Sequence, residues 1–269
     1  MKTDQPNLPD FKKRFPFRLA VPSYILPNAL IPNVRFLGPH VDEIELVLFE
    51  SVYEGNLPSK ADVQTLLALG TDLDLTYNVH LPIDIYLGRK DDILRRKDVE
   101  TMFRFYERTA TLAPTCHVMH LEPAPSDMAT TPAAWLEQAE KSLHELNALG
   151  MNPAHMAIEN MDHPLDLLAP IALPLGFAFC QDLGHLIDHG YDLATHLATY
   201  MPHTLMIHLH GIDQTRDHKA LTNLSDEIWK TIKTGLAGYT GGLSLEVFSL
   251  KDLLQSCPRI QELSLAPRT

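Results

Sequence analysis

The strongest constraint on the fold is a recurrence. Eight short apolar runs rich in Val, Ile and Leu punctuate the chain, at 17–22, 44–49, 73–80, 115–121, 155–160, 177–182, 205–210 and 243–248. Near-continuous apolarity suits strands buried on both faces of a parallel sheet, not the alternating strands of a half-solvated one. Helical patterns fill the gaps. Ser59 as an N-cap and Gly70 as a stop bound a helix over 59–69. Others are expected over 98–112, 132–149, 192–200 and 225–235, the second entered through Thr131-Pro132 and left at Gly150. Only the Pro-rich stretch 163–176 separates the fifth and sixth runs, so the helix there should be stunted. Eight β/α units within about 250 residues predict a single (β/α)8 TIM barrel. Residues 17–269 form that catalytic domain, and the polar, Pro-punctuated residues 1–16 read as an N-terminal arm. A doubly wound sheet is the alternative, but no Gly-rich phosphate loop follows the first run.

Composition removes several functional classes. With 22 Lys+Arg against 34 Asp+Glu, the formal net charge of −12 argues against a protein that grips nucleic acid by neutralising phosphates. The basic run at 89–97 is interleaved with Asp and reads as a solvated helix face. Three cysteines without a CxxC pair indicate neither a disulfide scaffold nor a thiolate zinc site. No stretch approaches the roughly 20 apolar residues of a membrane span, and the first residues carry no apolar signal core. A soluble, cytoplasmic protein with no nucleic-acid or membrane partner is expected. The 14 histidines are the unusual item.

Barrel active sites form where the strands end at the C-terminal face. Six consecutive runs deliver an imidazole or a carboxylate there: His80, His120, Glu159, Asp182 with His185, His208 with His210, and Glu246. Burying such groups together is expensive unless a cation compensates them, so their register points to a centre of divalent metals. The spread over many strands suggests more than one ion, with Glu159 suited to bridge two. Paired ions of that kind activate water and stabilise the oxygens of a phosphoryl displacement. Glu122 and Asn160 are candidate partners that orient the imidazoles. His117, His144, His155, His189, His196 and His203 lack such company and read as structural or exposed. Cys116 and Cys180 read as small hydrophobes within strands.

These elements resemble the xylose-isomerase-like barrels, and among them the endonuclease IV branch, over about residues 17–250. The resemblance implies one metal held by His80, His120 and Glu159, and a second by Glu159, Asp182, His208 and Glu246. It implies a third held by His185 with an Asp-x-His pair from the loop after the seventh strand. Here that loop has Asp217 and His218 adjacent, and Arg216 stands where the aspartate belongs. A third ion would then be held differently, with Asp217 or His210.

Within the superfamily, several segments resemble the cobamide-remodelling phosphodiesterases. They are Ser23-Tyr-Ile-Leu-Pro, Asn33-Val-Arg-Phe-Leu, residues 41–51, Tyr77-Asn-Val-His80-Leu-Pro-Ile-Asp84, and His208-Leu-His210-Gly with Asp217-His218. That resemblance implies a metal-dependent hydrolase that opens the nucleotide-loop phosphodiester of a corrinoid, releasing a cobinamide-type product and an α-riboside. Two or three divalent ions would serve, whether Zn, Mn, Fe or Co. Glu159, Glu246, His185 and His218 would be catalytic. His210, Asp217, Glu50 and Tyr24 would contact the corrinoid substrate, Tyr24 by flanking a planar group. The competing readings are a sugar isomerase or epimerase, in which Glu159 and Glu246 shuttle a proton beside a carbonyl, and an abasic-site endonuclease. The residues leave oligomeric state open.

Overall fold

The eight apolar runs pair side by side and close on themselves. In the computed structural model, which describes residues 8–127, 131–213 and 216–263, the first three strands are β1 (Arg18–Pro22), β2 (Glu43–Val47) and β3 (Thr76–His80). Then come β4 (His117–His120), β5 (Met156–Glu159), β6 (Ala178–Asp182) and β7 (Thr204–Leu209). A two-stranded hairpin, β8 (Gly211–Asp213) with β9 (Arg216–Lys219), precedes the last barrel strand, β10 (Gly242–Leu245). The barrel order is β1-β10-β7-β6-β5-β4-β3-β2, and every barrel pairing is parallel. A (β/α)8 barrel is therefore the fold. Among the described residues, no helix is long and apolar enough to cross a membrane.

The surrounding helices are α1 (Leu30–Leu37), α2 (Lys60–Leu73), α3 (Asp92–Ala110), α4 (Pro132–Leu149) and α5 (Leu165–Ala172). They continue with α6 (Leu183–Asp188), α7 (Leu193–Tyr200), α8 (Asp226–Gly235) and α9 (Leu250–Gln261). The expected N-cap Ser59 accepts from Asp62 N–H, Thr131 at the expected entry to α4 accepts from Ala134 N–H, and Gly150 ends α4 in the left-handed region at φ 102°. Asp192 and Ser225 cap α7 and α8 in the same way. The stunted helix is α5, which spans 8 residues and contains Pro170. Two boundaries differ from the sequence reading. Gly70 does not stop α2, which runs to Leu73 and is capped by Asp74 at φ 49°. Its lack of a side chain serves packing instead, since a Cβ there would lie 3.2 Å from Leu75 O and 3.3 Å from the Tyr77 ring. Likewise α3 begins at Asp92, with Asp91 as its cap, so the basic run is partly its first turns.

That run is not wholly a solvated face. Arg95 is buried, donating to Asp92, Ser142 and Glu145 and so pinning α3 to α4. Nor do residues 8–16 of the expected arm stand apart: Leu8, Phe11 and Phe15 are buried in the main apolar cluster. His117 and His196 are structural, as expected. His117 faces Thr109 Oγ1 at 3.0 Å, and His196 faces Gln181 Oε1 at 2.9 Å. Burial pushes them down, to about 3 and about 4 respectively. Cys116 and Cys180 pack with Val118, Ala157 and Met206 as small hydrophobes.

Candidate metal centre

Parallel register brings the strand ends together. His120 pairs with Glu159 across β4 and β5, and Asp182 with His208 across β6 and β7. Glu159 is the hub. Its Oε2 lies 3.2 Å from His80 Nε2 and 3.1 Å from His120 Nε2, while its Oε1 lies 2.8 Å from His208 Nδ1. Glu246 Oε2 is 3.2 Å from the same His208 Nδ1, and Asp182 Oδ2 is 4.0 Å from it. Overlapping donor sets result, each with its ligand atoms within 4.8 Å of one another, among them His80, His120 and Glu159; Glu159, Asp182, His208 and Glu246; and His80, His208 and Glu246, which links the two.

A separate set is His185, His210 and His218, also within 4.8 Å. The hairpin β8–β9 folds His218 back over the barrel mouth, holding it at φ 50°. The Nδ1 of each imidazole faces a main-chain carbonyl: Asn160 O at 3.3 Å for His185, Gly211 O at 3.2 Å for His210, and Glu246 O at 3.1 Å for His218. Donation to these carbonyls sets the tautomer that leaves Nε2 as a ligand. Asp217 Oδ2 stands 3.9 Å from His185 Nε2 and 3.6 Å from His218 Nε2, at the open side. For His210 the His218 N–H, at 3.0 Å, competes for Nδ1, which would leave the ring proton on Nε2, 3.2 Å from Asp182 Oδ1 but not hydrogen-bonded to it. Ligation through Nε2 would require the Gly211 arrangement. His210 has room only because residue 184 is glycine: a Cβ there would lie 2.1–2.4 Å from its ring.

Orienting contacts surround the other imidazoles. His80 Nδ1 faces Leu81 O at 2.9 Å, and His120 Nδ1 lies 3.4 Å from Glu122 Oε2. Glu122 therefore stands where it was expected. Asn160 acts by a different route, through its carbonyl on His185; its side chain pairs with the Asp182 backbone at 2.9 Å in both directions.

The sequence reading missed Glu45. Its Oε1 accepts from His208 Nε2 at 2.8 Å and its Oε2 from Ser244 Oγ at 2.6 Å, deep inside the barrel. Glu43 and Glu45 are two residues apart on β2 and so share the inward face, a period-2 signal legible in the sequence. Glu43 is spent at the barrel floor, where Arg18, Thr76, Asn78 and Thr115 all donate to it.

The donor sets fit divalent cations. Glu159, Asp182 and Glu246 are buried, and Asp182 Oδ2, Glu246 Oε2 and His210 Nε2 make no hydrogen bond. Such groups are costly unless neutralised. Without ions, protons take that part. Burial disfavours charge on His120, but Glu122 and Glu159 outweigh it and lift it to about 10. His210 likewise rises to about 9 against burial, through Asp182. Burial is outweighed at His208 as well, which sits well above its usual range beside Cys180, Glu159 and Glu246. Against the same burial, His208 and the other imidazoles hold Glu159 well below the carboxylate range. Protons thus occupy the atoms that a metal ion would need.

Two further residues expected to bind substrate do not join this cluster. Tyr24 and Glu50 line a separate groove beside it, between the loops after β1 and β2.

No protein-family model matches the chain, and no curated protein matches it in sequence. Solved structures match it in fold. A D-tagatose 3-epimerase-like protein superposes with a TM-score of 0.78 at 17% identity, over 92% of this chain and 97% of its own. The IOLI protein with a bound zinc atom gives 0.73 at 12% identity, over 93% and 100%. Endonuclease IV from Thermus thermophilus gives 0.68 at 14% identity, over 91% and 98%. At such identities the likeness is one of fold.

Proposed function

We propose that the protein is a metal-dependent phosphodiesterase acting on a small phosphodiester, the nucleotide loop of a cobamide. The observation that carries the hydrolase reading is Glu159, whose two oxygens face two different imidazole sets, one of His80 and His120 and the other of His208. A carboxylate so disposed would be shared between two ions. His80, His120 and Glu159 would hold the first, and Glu159, Asp182, His208 and Glu246 the second. Divalent ions there would supply the Lewis acidity that activates a water and neutralises phosphoryl oxygens.

The chain's own groups do the rest. Glu246 Oε2, 3.2 Å from His208 Nδ1 and 3.6 Å from His218 Nδ1, is held ionised against burial by those imidazoles and would serve as a ligand of the second ion rather than as a base. His185, His210 and His218, with Asp217 at the rim, would hold a third cation against the phosphate. Three nitrogen donors favour zinc or cobalt over magnesium or manganese at that position. The cobamide assignment rests on the sequence resemblance at residues 23–27, 33–37, 41–51, 77–84, 208–211 and 217–218. A net charge of −12 supports a small anion over a DNA duplex. Incubation of the metal-loaded protein with adenosylcobalamin, followed by mass spectrometry, should yield a cobinamide-type corrinoid and an α-riboside. Unchanged substrate under zinc, manganese, iron and cobalt would refute the assignment.

A sugar isomerase or epimerase is the second reading. Glu159, Asp182, His208 and Glu246 alone lie within 4.8 Å, which suits a single ion with a glutamate on either side of a carbonyl. An epimerase-like protein is also among the neighbours in fold. Metal content separates the readings: one ion per chain favours the isomerase, two or three the hydrolase.

A further inference from the structure

Beside the metal centre lies a groove of about 510 Å³, within the range of small-molecule sites. Its two walls are preformed. Buried Asn33 fixes the loop after β1 by accepting from Ile25 and Leu26 N–H at 3.1 and 2.8 Å and donating to the carbonyls of Leu26, Asn28 and Ala29. The loop after β2 is fixed from β3's side. Asp84 accepts from Ser51 N–H at 2.6 Å and from Val52 N–H at 3.3 Å, and Ile83 N–H donates to Phe49 O at 2.8 Å. Phe49 is held at φ 44°, a left-handed conformation rare for an aromatic residue.

An aromatic path joins the groove to the metal centre. Tyr24, 42% exposed, meets Phe49 edge-on at 5.1 Å. Phe49 lies 6.5 Å from Phe248, and Phe248 lies 4.9 Å from His218. The remaining lining has a definite charge character. Glu50 and Asp62 are its carboxylates, Asn28 and Asn56 add amides, and no Lys or Arg is among the described lining residues. A second phosphate or a nucleic-acid backbone would be repelled there. A planar apolar group bearing neutral hydrogen-bonding substituents would be accepted.

We infer that this groove is the binding subsite for the non-reacting, planar part of the substrate, with Tyr24 as its stacking wall and Glu50 and the amides as its polar rim. The subsite rests on the phosphodiesterase reading for the chemistry at its open end, but its occupancy is measurable without turnover. Remote binding of this kind raises affinity at the reacting end, because the walls need no ordering on binding.

The test is the equilibrium affinity for adenosylcobalamin of the full chain, metal-loaded and again after EDTA treatment. Tyr24→Ala should weaken binding about tenfold or more, and Tyr24→Phe should retain it. Ala29→Trp, which fills the groove from the edge of α1, should abolish it. Thermal melts of the variants establish that each is folded. Wild-type affinity in both Tyr24→Ala and Ala29→Trp, or no binding by the wild type, overturns the subsite. Turnover of bis(4-nitrophenyl) phosphate by the metal-loaded wild type reports on the hydrolase reading separately. Groove binding with no hydrolysis would sink that reading and leave the subsite standing.

Discussion

His208 and Glu45 meet at 2.8 Å in the middle of the barrel, with neither side chain exposed. Glu45 accepts the Nε2 proton and so presents Nδ1 to Glu159, Glu246 and Asp182. A carboxylate behind a ligating imidazole both orients the ring and raises its basicity.

Glu45→Gln tests that relationship. The new amide can donate to Nε2, which shifts the imidazole proton onto the ligand atom Nδ1. Metal affinity at the set around His208 should fall about 10–100-fold, read by competition with a chelator. Unaltered affinity would show that Glu45 serves packing alone.

Glu159→Gln removes the carboxylate shared between donor sets. Elemental analysis should find at least two ions per wild-type chain and the loss of more than one in this variant, together with turnover. Glu246→Gln should also abolish turnover. Full activity in either would remove it from the mechanism.

Gly184→Ala puts a Cβ into the space of the His210 ring, at 2.1–2.4 Å. His210 must move, and the three-imidazole set comes apart while the sets around Glu159 persist. One ion fewer per chain is expected, with the tetrahedral cobalt absorption lost from the cobalt-substituted protein. His210→Asn should give the same result without crowding α6. A full complement in both variants would exclude His210 as a ligand.

Stability should fall with rising pH in the absence of metal and depend far less on pH in its presence. His120 and His210 titrate at about 10 and about 9 in the fold against an ordinary 6.5. Raised values stabilise the fold fully below about pH 6.5 and lose that contribution as pH climbs toward 10, at up to about 1.4 kcal/mol per unit for each group. The chelated protein should therefore melt progressively lower from pH 7 to 10. In the loaded protein the ions replace those protons, so the melting gain on adding metal should widen over the same range. Parallel profiles would contradict the competition of protons and cations for these atoms.

Arg95→Ala leaves Glu145, Asp92 and Ser142 without their shared donor at the interface of α3 and α4. Loss of a buried, hydrogen-bonded guanidinium should cost about 2–4 kcal/mol, measured by urea unfolding. A change below about 0.5 kcal/mol, expected for an ordinary surface residue, would mean that the ion pairs hold little.

Much of this molecule is local and therefore legible in the chain. Apolar runs of strand length mark all eight barrel strands, and caps such as Ser59 and Thr131 mark where helices begin, because propensity and hydrogen-bonding chemistry act over a few residues. An imidazole or carboxylate at the end of each of six strands was legible for the same reason: strand ends share one height in a barrel. What each of those groups faces is a matter of register between strands far apart in sequence. Only closure of the barrel brings Glu45 of β2 against His208 of β7, 163 residues away. Arg95 looks like any charge on a basic run until α4 covers it, and Gly70 looks like a helix stop until Tyr77 packs against it. The three-imidazole set needed the tertiary structure most. Its member His210 has space only where Gly184 lacks a side chain, and its partner His218 arrives only because a hairpin turns the loop back over the mouth.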